Sequence, residues 1–230
     1  MKQRVLYREI AYILGILTMA LGAACMERAN FGMSMVVAPA YLVHLKFAEF
    51  WPLFSFGLAE DVLQAFLLFL MCLIIRRFRA SYLFSFVTAV LYGLVLDGMV
   101  ALVHQLPYWW WVRALLYVGG MVITSAGVAF FCRTYIAPEV YELLVELVSQ
   151  KFNMPFHRLK TYYDVISCIV SVAMSLLFFG KLVGVGWGTL VCALINGTLI
   201  GWLTKLYDRL WTYKDLFPKL RRIMPEHHTE

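Results

Sequence analysis

Six runs of apolar residues, at about 9–28, 53–75, 81–104, 109–132, 162–180 and 186–206, leave this chain few ways to fold. Each is close to the ~20 residues that a helix needs to cross about 30 Å of hydrocarbon. Inside hydrocarbon every backbone N–H and C=O has to find a partner within the protein, and an α-helix satisfies them within one segment. The runs therefore predict an all-α polytopic membrane protein with about six transmembrane helices. Composition agrees: 62% of the 230 residues are hydrophobic and 15% are charged, against about 25% charged in a typical soluble domain. The longest polar segment is the C-terminal tail, so no soluble domain is expected.

The net charge of +6 could point to nucleic acid, but the Lys and Arg residues cluster at the ends of the apolar runs. That is the pattern of the positive-inside rule, and it argues for a lipid bilayer as partner and against nucleic acid. The N-terminus, "RRFR" at 76–79, the segment from Arg133 to Lys160 and the tail after Lys205 hold most of the positive charge. Six spans place all four on one side, with both termini cytoplasmic. The other side receives "HQLPYWWWVR" (104–113) and "GKLVGVGWG" (180–188), the first with aromatics typical of a membrane interface. Lys2, Arg4 and Arg8 before an apolar run imitate a signal peptide, and "GAAC" at 22–25 imitates a lipoprotein cleavage site. The run is read as a retained first span because it is half of a repeated unit. Cys25, Cys72, Cys132, Cys168 and Cys192 all fall in apolar runs, are odd in number and form no CxxC pair. They read as small buried hydrophobes, with no disulfide, metal or cofactor implied.

Two shorter apolar segments, 33–47 and 138–151, follow the first and fourth runs and are too short to cross comfortably. In the second, "PEVYELLVELVSQ", Glu139, Glu142 and Glu146 share one helical face and Leu143, Leu144 and Leu147 the other, with Pro138 suited to a first turn. Such segments are expected to be amphipathic or re-entrant. The two halves also align. "LGAACMERANFG" (21–32) lies over "AGVAFFCRTYIA" (126–137), Gly22 on Gly127 and Arg28 on Arg133, and "FSFVTAVLYGLVLDG" (84–98) lies over "GTLVCALINGTLIGW" (188–202). With three crossings per unit the second unit would be upside down relative to the first. The expected division is a first membrane repeat at 1–105, a second at 106–206 and a cytoplasmic amphipathic tail at 207–230. Inverted repeats with broken helices point to secondary transport at the repeat interface.

Charges near these breaks supply the candidate site. Arg28 and Arg133 each end a long run just before a short one. Either they snorkel to headgroups, or they make an anion-friendly pocket with the N–H groups of the short helix. Asn30, Gly32 and Ser34 fit that pocket in the first half, Ala137 and Pro138 less clearly in the second. Asp61 and Asp164 stand near the start of the third helix of each half, as counter-charges to the arginines or as proton sites. Asp97, in "GLVLDGMV", is a further possible proton site, whereas Asn196 reads as glue between helices and its neighbouring glycines as close packing. The tail, "YDRLWTYKDLFPKLRR", reads as a membrane-surface helix, with His227 and His228 solvated.

"GAACMERANFGMS", "YLFSFVTAVLYGLVLDG" and "GKLVGVGWGTLVCALINGTLIGWL" together resemble the YczE/YyaS/YitT group of bacterial integral membrane proteins. They are similar to that group's "ANxG" break, its glycine-and-aspartate third helix and its "GVGT…G" ending. "MVVAP" stands where many YczE-like members show Pro-Trp-Asp after the break. The resemblance implies a bacterial cytoplasmic membrane and leaves the activity open, transport being suspected for the group. The expectation is a protein that moves or binds a small polar or anionic solute, as a homo-oligomer or a monomer. Its rivals are a substrate-binding subunit of an energy-coupling-factor-type importer, hinted at by Ala20 and Ala24, and a membrane scaffold. No residue constellation argues for an enzyme.

Overall fold

The computed structural model describes residues 4–76, 78, 82–136, 139–154 and 156–217. Its helices are α1 (Arg8–Ala29), α2 (Ala38–Ala48), α3 (Phe56–Ile75), α4 (Tyr82–Val103), α5 (Trp110–Phe131), α6 (Val140–Phe152), α7 (Phe156–Phe179) and α8 (Trp187–Leu210). All but α2 and α6 contain a stretch long and apolar enough to cross a bilayer, and the chain is an integral, multi-pass membrane protein. The order long, short, long, long occurs twice. Large apolar side chains such as Phe69, Leu94, Leu115, Leu177 and Leu194 are exposed on the outside of the bundle. In water they would be a liability; in hydrocarbon they meet their own solvent.

The centre is the pair α1 and α5. A Cβ at Gly22 would strike Thr124 and the Gly120 carbonyl, one at Gly127 would strike Met19, and one at Gly15 would strike Phe131. These contacts run antiparallel and depend on small residues that let two backbones approach. α1 packs also on α4, and α5 on α8; α3 lies against α4, α2 and α6, while α7 lies against α2 and α6.

Both short helices are built on helix breaks. α1 stops because Asn30 takes the left-handed conformation (φ 53°) and its N–H turns back to the carbonyls of Glu27 and Met26. The side chain of Arg113, from the start of α5, then donates to the carbonyls of Ala29 (2.8 Å) and Asn30 (3.4 Å) at the helix end. The chain next clasps the loop before α8. The Met33 N–H donates to Gly184 O (2.9 Å) and the Gly188 N–H to Phe31 O (3.1 Å). Gly32 (φ 126°) lies so close to Thr189, and Gly188 to Phe31 O, that neither has room for a Cβ. "ANFG" and "GVGWG" are thus two sides of one backbone contact, with Phe31 against Trp187 and Tyr117.

The second break ends differently. After Tyr135, Glu139 serves as the N-cap of α6 and turns inward. Its partner Gln64 sits eight residues into α3, about 12 Å along a 20-residue helix. At the other end of α6, Lys151 donates to Ile74 O. α6 therefore runs alongside the second half of α3, beginning level with its middle.

Several expectations need correction. The described part of the tail, to Phe217, is not a separate surface helix: α8 continues to Leu210, and Trp211–Lys214 forms β2, which pairs in parallel with β1 (Arg4–Tyr7). The alternation of Trp211, Thr212, Tyr213 and Lys214 has the period of a strand. The Glu9 carboxylate holds the segment after β2, accepting from the N–H groups of Leu216 and Phe217 and from the Tyr135 hydroxyl. Glu139 does not share a solvated face with Glu142 and Glu146, because as an extended N-cap residue it leaves the helical register. A Cβ at Gly98, Gly197 or Gly201 would meet nothing within 4 Å, so these glycines do not mediate the packing expected around Asp97 and Asn196. Asn196 does join helices, accepting from Ser125 of α5. The expectations for Lys2, Arg77, Arg79, Ala137, Pro138, His227 and His228 lie outside the described residues.

Candidate functional site

The polar heart of the bundle is acidic. Glu60 and Gln64 stand one turn apart on α3 and face the N-terminus of α6. The Gln64 amide donates to Glu60 Oε1 (3.2 Å) and to Glu139 Oε2 (2.9 Å), so one NH2 group bridges two carboxylates. The orientation follows from chemistry: flipped, the amide would present its acceptor oxygen to two carboxylates. Glu60, Gln64 and Glu139 are at most 3% exposed. Glu60 Oε2, Gln64 Oε1 and Glu139 Oε1 are buried with no hydrogen-bond partner. Among the described residues no ion pair reaches either glutamate. Burial, followed by the charge of Glu60, holds the Glu139 carboxyl well above the usual carboxylate range.

A second acidic pair adjoins it where α3 crosses α4. Asp97 Oδ1 accepts from the Gly57 N–H (2.7 Å), which caps the first turn of α3. A Cβ at Gly93 would lie 2.6 Å from Asp61 Oδ1, and that oxygen has no partner. The close Gly57–Gly93 crossing thus brings Asp61 and Asp97 together from two helices.

The arginines lie elsewhere. Because α1 and α5 are antiparallel, Arg28 and Arg133 are at opposite ends of the pair, roughly 25 Å apart along the helix axis. Arg28 donates to Leu106 O (3.0 Å) and stacks over Tyr108, which Arg113 also approaches. Beside it Glu27 pairs with His104 (2.7 Å). Arg133 pairs with Asp208 at the end of α8. The expected pairing of Arg28 with Asp61 and of Arg133 with Asp164 does not occur. Asp61 faces α4, and Asp164 stands 3.9 Å from Lys160 one turn away on α7. Asn30 works through its backbone, as the cap of α1.

The profile of a family of unknown function, DUF6198, matches residues 6–205. The chain belongs to that family. No curated protein and no solved structure matches it. The match covers both breaks, the acidic cluster of this DUF6198 chain and the glycine clasp, and it ends within α8, before β2. Among the described residues, no three of His, Cys, Asp or Glu converge as metal ligands would.

Glu60, Gln64 and Glu139 went unnoticed as a group in the sequence of the DUF6198 chain. Half of the signal is visible there: "AEDVLQ" places two acids and an amide inside an apolar span, with Glu60 and Gln64 at i and i+4. The other half is not, because Glu139 lies 75 residues away and only the course of the second break brings it to Gln64.

Proposed function

We propose that this protein is a secondary transporter for a small polar solute, built from two inverted three-span repeats whose short helices are re-entrant, with the acidic cluster at its working centre. The observation that carries the reading is Glu139. A helix that starts level with the middle of a membrane span, with a buried carboxylate at its N-cap, is the broken-helix geometry in which carriers place their sites. The antiparallel course of α1 and α5, and the matching contacts of α1 with α4 and α5 with α8, support the inverted repeat. A solute held by both Arg28 and Arg133 is not part of this reading, which sets the two at opposite ends of the α1–α5 pair. The chemistry at the centre is that of acids, and a neutral or cationic solute suits it better. The kinship with the YczE/YyaS/YitT group, the bacterial cytoplasmic membrane, the cytoplasmic termini and the absence of an enzymatic reaction belong to the same reading. Ala20 and Ala24, the helix-contact pattern behind the importer-subunit alternative, are fully buried in the bundle.

Two measurements test it. In a cysteine-free background, single cysteines at the exposed positions Asn30 and Lys181 should react with a membrane-impermeant reagent from outside intact cells. Cysteines at Arg76 and Asn153 should react only after permeabilisation. Labelling of Asn30 and Asn153 from the same side would end the inverted-repeat reading. Purified protein in liposomes, with no ATPase, should then accumulate labelled polar solutes when an ion gradient is imposed; strict dependence on an added ATPase would hand the function to the importer-subunit alternative.

A further inference from the structure

We infer that Glu60, Gln64 and Glu139 form a single exchangeable-proton site, in which the two carboxylates share one proton and the amide fixes their geometry. Two carboxylates on one amide, in a site closed to water, carry two negative charges if both are ionised. Only partial hydrogen bonding and no paired cation offsets them, an arrangement that a low-dielectric interior does not support. Loading one proton onto Glu60 Oε2 or Glu139 Oε1 forms an O–H bond and takes the pair from two charges to one. That neutralisation also removes the repulsion between the α6 N-terminus and α3. The two free oxygens belong to different helices, so loading and release pull on the α3–α6 contact itself. It is the contact that a re-entrant helix would have to open.

The surroundings favour a proton over a metal cation. A hard cation asks for about six oxygen ligands, whereas the amide spends both of its donors on the carboxylates. Gln64 Oε1 is buried and unpaired, so the cluster holds one more acceptor than it has donors to meet. Each packed element contributes titratable groups within electrostatic reach. Asp61 on α3 acts on both glutamates, and Asp97 on α4 acts through Asp61. Tyr12 on α1, Tyr92 on α4 and Tyr163 on α7 feel the field of Glu139. Tyr141 and Glu142 on α6 are bonded to each other, and Lys160 on α7 lies with its Nζ 5.3 Å from the centre of the Tyr141 ring and 3.9 Å from Asp164. Glu60 and Glu139 should therefore titrate as one unit with two steps.

This inference takes its purpose from the transporter reading, but its test does not depend on transport. Full-length protein in nanodiscs would be titrated by infrared difference spectroscopy. At neutral pH a protonated carboxylic-acid carbonyl band, shifted in D2O, is expected, and it should disappear as pH rises. The double variant Glu60→Gln with Glu139→Gln should abolish it and each single variant should alter its titration, while Asp164→Asn should leave it in place. Absence of the band in the wild type, or its unchanged survival in the double variant, overturns the inference. Sodium added to wild-type protein at fixed pH supplies a control that needs no variant to fold: an unchanged band supports the proton, and a band displaced by sodium overturns it in favour of a metal cation. Should the band behave as expected while liposomes move no solute, the proton site stands and the transporter reading falls.

Discussion

The two helix breaks begin alike and end in opposite chemistry. Each follows a long central helix, each has an arginine at its edge, and each leads into a short helix packed against the other half of the bundle. The first break is closed by shape. Its glycines press backbone on backbone against the loop before α8, its short helix starts at Val37 and Ala38, and α7 opposite offers Ser171 and Ser175 with their hydroxyls already bonded to carbonyls. The second break is closed by charge: its short helix starts at Glu139 and meets Glu60 and Gln64. The clasp at the first break is made by backbone hydrogen bonds, whereas the second break carries unpaired buried carboxylate oxygens. Groups of that kind persist in a membrane when they have work to do. On the proposed reading, shape closes the first break and chemistry belongs to the second.

The largest effect should come from disturbing the shape-closed break. Gly32→Val puts a branched side chain at φ 126° and within 2.5 Å of the Thr189 hydroxyl. Backbone strain and overpacking together should destabilise the protein by about 3 kcal/mol or more. Gly197→Ala, in open space on α8, should be neutral or slightly stabilising because it removes helix-breaking freedom. Thermal unfolding of the two variants in detergent checks this. Equal midpoints would mean that the clasp contributes nothing.

At the charge-closed break Gln64→Leu removes both donors that hold the two glutamates. Leaving buried carboxylates unpaired should cost about 1–3 kcal/mol, with the loss smaller in acid, where the carboxyls are neutral. A change on α7, the helix against α2, Ser171→Ala, removes one helix back-bond and should cost less than about 1 kcal/mol. A reversed ranking would erase the contrast between the halves.

Glu139→Gln sharpens the same contrast through pH. Burial raises the Glu139 carboxyl in the folded protein, so the fold binds a proton that the unfolded chain has already released. Its contribution to stability is complete below the ordinary carboxylate range and is lost as pH rises toward the raised value. Wild-type stability should therefore fall over that window. The glutamine variant lacks that part of the slope, and its advantage over wild type should grow with pH. Parallel unfolding curves from acid to neutral pH would show that Glu139 is ionised in the fold.

The spans were legible because a helix in hydrocarbon declares itself by length and composition, and the structure places each within a few residues of its apolar run. The two short helices were legible for the converse reason, being apolar and too short. What escaped the sequence depends on partners distant along the chain. Arg113 looked like a residue of an interface belt, and it is the cap of α1, 84 residues away. Asp61 stood out by its match to Asp164, whereas its neighbour Glu60 faces Gln64 and Glu139 and carries the deeper burial. The tail was misread because alternating aromatic and basic residues suit a surface helix and a short strand equally, and the pairing with Arg4–Tyr7 decides between them.

The smallest expected effect concerns the arginine pair on which the sequence placed most weight. Arg133 and Asp208 are each about a third or more exposed, and solvent screening leaves such pairs little net energy. Arg133→Gln should cost less than about 1 kcal/mol in unfolding, and a double-mutant cycle with Asp208→Asn should give a coupling no larger. The same holds for Arg28→Gln, since water can replace the guanidinium at Leu106 O. Stability alone does not separate an anchor from a ligand contact, so the deciding number is transport. If both glutamine variants keep activity within about threefold while Glu139→Gln loses it, the chemistry belongs to the second break. A tenfold loss in either arginine variant at unchanged stability would return the arginines to the site and remove the asymmetry on which the comparison rests.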